Sequence, residues 1–149
     1  MWPRSFFSCI AFAFSLAYAG CGSEKADDQL LVGIQQELKL NDPIVDALVF
    51  FLTENDCESC SMNTYGRINS IVEKNQSKKL FGIYLSIPGK EATVYDEFIA
   101  KTRDKISWTF SKNTTLFGLV FQRSDKHHSP FLITIASGRL NSVLSISKG

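Results

Sequence analysis

The segment Ile44-Val-Asp-Ala-Leu-Val-Phe-Phe-Leu-Thr53 is apolar at nearly every position, with only Asp46 breaking the run before Thr53. A strand with one wet face would alternate apolar and polar residues. A continuous run instead predicts a central strand covered on both faces, as in a parallel sheet between helices. Directly after it comes Glu54-Asn-Asp-Cys57-Glu-Ser-Cys60, and then Tyr65, Ile68, Ile71 and Val72 at helical spacing. The Cys57/Cys60 pair therefore sits where a buried strand gives way to a helix. A thiol in the first turn of a helix meets unpaired backbone N–H groups and the positive end of the macrodipole, both of which favour the thiolate. A second thiol three residues on can resolve a mixed disulfide, whereas a disulfide closing so short a loop would staple almost nothing.

The start of the chain bears on where that chemistry would operate. Met1-Trp-Pro-Arg4 carries one positive charge and is followed by a short apolar run over Phe6 to Ala17, the pattern of a secretory signal and too short for a membrane span. Tyr18-Ala19-Gly20-Cys21 resembles the lipobox of bacterial lipoproteins, with Tyr18 where that family usually has an aliphatic residue. The resemblance implies cleavage before Cys21 and a lipid on Cys21; the alternatives are an ordinary signal peptide cut at the same place or an anchor left in. Cys9 then leaves with the signal, and Cys57 and Cys60 are the thiols that remain. The expected organisation is a signal peptide over 1–20, a lipidated polar tether over 21–29 and one domain over 30–149. The 149 residues allow one compact core, and a net charge of +1 without a basic stripe excludes nucleic acid as a natural partner.

Along the domain, Leu30, Leu31, Ile34 and Leu38 predict a helix from Gln29 to Lys39, stopped by Asn41-Asp42-Pro43. Leu80 to Ile87 alternates and reads as a second strand closed by Pro88-Gly89, and Glu91 to Ile106 is helix-like. Between Ile106 and Gln122 the pattern leaves two readings open: a short strand over Ile106 to Phe110, then either a short helix or an apolar loop over Thr115 to Gln122. Pro130 to Ala136 and Leu140 to Ile146 are strands joined by Ser137-Gly138-Arg139, a hairpin. The order is strand, helix, strand, helix, hairpin: an α/β domain with a central mixed β-sheet flanked by helices.

This order, with CxxC after the first strand and a proline opening the hairpin, resembles the thioredoxin-like fold over about Ile44 to Ile146, and within it the anchored thiol-disulfide oxidoreductases of the bacterial cell envelope. The resemblance implies a cis peptide at Ser129-Pro130, facing the CxxC pair, with the Ser129 backbone able to pair with a substrate strand. It also implies Cys57 as the attacking thiol, Cys60 as the resolving thiol, protein thiols or disulfides and a redox partner protein as partners, and no cofactor. The chain departs from the family at Asp56, where thioredoxins carry Trp, and at Glu58-Ser59, where they carry Gly-Pro. Phe51 stands six residues before the first cysteine, where thioredoxins bury an acid, and cannot relay a proton. Only Ser147, Lys148 and Gly149 follow Ile146, so no terminal helix is expected.

Glu54, Asp56 and Glu58, read as exposed acids, oppose a thiolate at Cys57, each by less than about 1 kcal/mol. At roughly 1.4 kcal/mol per 30 mV for two electrons, they shift the potential by a few tens of millivolts at most, toward a reductant or isomerase. Two other readings are expected to compete with that one. The chain would be a redox-inert thioredoxin-like binding module, or a copper-handling protein in which His127 or His128 completes a site with the two cysteines. A His pair in a polar loop is more often solvated, and no metal ligand is assigned. Trp108, Phe110, Phe117 and Phe121 are candidates for a substrate groove, with core packing the default.

Overall fold

The computed structural model describes residues 21–54, 58–86, 95–126 and 128–146, with the side chains of 21–23 and 58–62 also outside the description. Nine elements follow in order: α1 (Cys21–Glu37), β1 (Ala47–Thr53), α2 (Glu58–Lys74), β2 (Lys79–Leu85), α3 (Asp96–Thr102), β3 (Ser107–Ser111), α4 (Thr114–Arg123), β4 (Phe131–Ala136) and β5 (Arg139–Ser145). The strands form one sheet in the order β3-β2-β1-β4-β5. β1, β2 and β3 run parallel, while β4 and β5 are antiparallel to their neighbours. This mixed sheet between helices is the thioredoxin-like arrangement, with β3 at one edge and α4 packed beside α1 over β1.

All seven residues of β1 are buried, and the pleat divides them between two cores. Ala47, Val49 and Phe51 face Leu30 and Ile34 of α1 and Leu116 and Val120 of α4. Leu48, Phe50 and Leu52 face Ile68 and Val72 of α2 and Phe98 and Ile99 of α3. Each fully buried side chain of this size contributes about 1.5–3 kcal/mol, which is why the run tolerates no polar residue between Ala47 and Leu52. A chain of ring contacts, Tyr65 stacked on Phe98 at 4.6 Å and Phe98 edge-on to Trp108 at 6.1 Å, ties α2 to α3 and β3.

One expectation shifts. α1 begins at Cys21 rather than Gln29, so the segment expected as a polar tether is helical. Its composition carries no apolar periodicity, yet a helix nucleated by the buried Leu30, Ile34 and Leu38 propagates through Ala26, Lys25 and Glu24 at little cost. Asp27 meets Arg123 of α4 at 2.5 Å, and Asn113 at the other end of α4 bonds Glu37 at 3.3 Å, so α1 and α4 run antiparallel and are joined at both ends. The stretch left open resolves as a strand and a helix. The Asn113 side chain caps α4 by accepting from the Leu116 N–H at 3.0 Å, while β3 is held beside β2 by Trp108 lying over Gly82. At the hairpin, Ser137 and Gly138 both have positive φ, as a two-residue turn between twisted strands requires.

Candidate functional site

β1 ends at Thr53, and α2 begins at Glu58. Cys57 lies between them, outside the described residues. Cys60 is in the first turn of α2 and Cys21 opens α1; their side chains are likewise not described. The expected strand-to-helix junction is therefore present around the CxxC pair, with one thiol position bracketed by the two elements and the other on the helix itself.

The Ser129–Pro130 peptide is cis. Because β4 pairs antiparallel with β1 through Phe51 and Phe131, residue 129 falls opposite residue 53. The Thr53 hydroxyl donates to Ser129 Oγ at 3.2 Å. The loop before the proline is thus fastened to the strand end that leads into Cys57. Its other side is fixed by the end of β5 and by Ile146. The Ile146 N–H donates to the Pro130 carbonyl at 2.8 Å, and Ser145 Oγ donates to the His128 carbonyl at 2.5 Å. Asp125, a few residues earlier in the chain, accepts from the Ser145 N–H at 2.8 Å, and that bond holds its carboxyl below the usual carboxylate range.

A polar layer sits at the carboxyl ends of the three parallel strands, where open α/β sheets place their sites. Thr53, Glu54 and Ser111 are buried there. Ser86 Oγ donates to Glu54 Oε1 at 3.4 Å, the Ser86 N–H to the Ser111 carbonyl at 2.9 Å, and the Asn113 N–H to Ser111 Oγ at 3.0 Å. Glu54, which the sequence presents as an exposed acid, is only 6% exposed. The turn after Thr53 directs its side chain toward the end of β2, a placement invisible in sequence because it depends on which strand lies beside β1.

His128 is exposed, and His127 lies outside the described residues. No group of three or more His, Cys, Asp or Glu able to hold a metal occurs among the described residues, which leave out Cys57 and His127. Of the aromatic candidates, Trp108, Phe117 and Phe121 pack against the two cores, while Phe110 is 54% exposed on the edge strand β3. No described helix is long and apolar enough to cross a membrane.

No protein-family model matches the chain, and no curated protein matches it. A solution structure of the apo Sco1 protein from Thermus thermophilus superimposes on 70% of this chain and 71% of its own, at 13% identity and a TM-score of 0.46. That likeness is too distant to carry any residue role or activity across.

Proposed function

We propose that the chain is a thiol-disulfide oxidoreductase of the bacterial cell envelope, held to a membrane through a lipid on Cys21 and working as a reductant or isomerase on protein disulfides. The observation that supports this most is the Thr53–Ser129 hydrogen bond, which joins the cis-proline loop to the strand end leading into the CxxC pair.

In the proposed reaction the Cys57 thiolate attacks one sulfur of a substrate disulfide. The S–S bond breaks, the leaving thiolate takes a proton, and a mixed disulfide forms. Cys60 gives up its proton, attacks the Cys57 sulfur and releases the second substrate thiol, leaving a Cys57–Cys60 disulfide that a dithiol reductant must return to the reduced state. The helix N-terminus favours the thiolate at Cys57 more than at Cys60. Asp56 and Glu58 flank that thiol, and the buried Glu54 precedes it, so the balance of charge favours the neutral dithiol.

Insulin reduction driven by dithiothreitol is the test. Cys57→Ser should abolish catalysis, and Cys60→Ser should trap a mixed disulfide with substrate. Unchanged turnover in both variants refutes the reading, and a potential as oxidising as that of the strongest periplasmic oxidants refutes its direction.

A further inference from the structure

On the α2 side of the sheet, Leu132 of β4 is half-buried and its cross-strand partner Leu144 of β5 is 45% exposed. Between these strands and α2 lies a groove of about 370 Å³, lined chiefly by Arg67, Ser70, Ile71, Leu132, Leu144 and Ile146. It begins beside the cis-proline loop, since Ile146 bonds the Pro130 carbonyl, and follows α2 away from Cys60.

Its α2 wall is cationic. Arg67 Nη1 donates to the Ile146 carbonyl at 2.7 Å, which occupies one of five guanidinium donors, and no described carboxylate lies within ion-pair distance of Arg67. Lys74 sits two turns further along the same helix face. The acid of this part of α2, Glu73, lines a different cleft with Glu97 and Lys101. Asp125 accepts the Ser145 N–H at the outer edge of β5 and keeps its negative charge there, so the cationic side of the groove is the α2 wall. An apolar floor under a cationic wall is complementary to an apolar side chain next to a carboxylate.

We infer that this groove seats a segment of the substrate protein carrying an apolar residue followed by an acidic one, while the substrate's cysteine meets the CxxC pair. The inference rests on the oxidoreductase reading for its occupant. The groove is contiguous with the proline loop and open along its length, which suits an extended chain, and its volume is near the small end of ligand pockets, roughly 300–1,000 Å³.

The test uses the full chain in detergent with Cys57→Ser and Cys60→Ser, so its outcome is independent of insulin reduction. Fluorescence polarisation would compare two labelled cysteine-free peptides, one alternating Leu with Asp or Glu and one alternating Leu with Lys. The acidic peptide should bind at least about tenfold tighter than the basic one. Arg67→Gln should weaken it about tenfold, and Leu144→Asp, at a position 45% exposed, should abolish it while circular dichroism shows the fold retained. Lys101→Gln, in the other cleft, should change nothing. Equal binding of both peptides, no binding of either, or an unchanged affinity in Leu144→Asp overturns the inference. So does a concentration-dependent dimer that Leu144→Asp dissolves, since a second copy would then be the occupant.

Discussion

A methyl group at Gly82 would meet the indole of Trp108 at 2.1 Å from Cε3, 2.3 Å from Cζ3 and 2.6 Å from Cδ2. Favourable carbon contacts begin near about 3.5 Å, so in Gly82→Ala the ring must move by more than about 1 Å. It has little freedom to do so. Trp108 Nε1 donates to Thr102 Oγ1 at 3.0 Å, that hydroxyl donates to the Phe98 carbonyl at 2.8 Å, and the ring stands edge-on to Phe98. Overpacking of this kind costs about 1–3 kcal/mol and the loss of the indole hydrogen bond about 1 kcal/mol, for a total near 3 kcal/mol. At about 2–4 °C per kcal/mol for a chain of this size, the melting temperature should fall by about 6–12 °C. Urea unfolding of Gly82→Ala, Trp108→Leu and the double variant completes the measurement. Leucine removes the obstructing ring, so the double variant should be more stable than the sum of the singles by about 1.5 kcal/mol or more. A cost below about 0.5 kcal/mol for Gly82→Ala, or strict additivity, would refute the pairing of β3 with β2 through these two residues.

Asp125 has its pKa lowered from 3.8 chiefly by the Ser145 backbone bond, so its charged form is favoured in the folded protein. Its contribution to stability is complete above the unfolded value and lost as pH falls through the depressed folded one. Asp125→Asn should therefore melt earlier than the parent above about pH 5, with the gap closing on acidification below about pH 4; a gap that widens in acid contradicts this. For α1, a double-mutant cycle on Asp27→Asn and Arg123→Gln should give a coupling of about 1 kcal/mol that shrinks in high salt. Zero coupling at low ionic strength would show that the first turns of α1 are not docked on α4.

Residues whose neighbours are set by their own local pattern are legible without coordinates. The β1 run, the helical spacing after the CxxC pair and the short Gly-containing turn each encode which faces must leave water. The proline opening the hairpin is legible only through the family resemblance, which implies the cis peptide found at Ser129–Pro130. The unit β3–α4 is not decidable from sequence, because Ser107–Ser111 is half-exposed on an edge and its strand conformation comes from pairing with β2. The first turns of α1 escape a sequence reading because they are stabilised by Arg123, far away in the chain, and by propagation from a buried stretch rather than by their own apolar spacing.

The amino-acid order by itself thus determined the two-faced central strand, the helix carrying Cys60 and the closing hairpin, since burial of apolar surface has a short and readable period. Only the folded chain decided that Glu54 lies beneath Ser86, that Thr53 holds Ser129, and that Arg67 faces an uncovered pair of leucines. Those relations join residues as far apart as Thr53 and Ser129, 76 positions, brought together by the order of strands in the sheet, and a period of two or of 3.6 carries no information about which strand becomes whose neighbour.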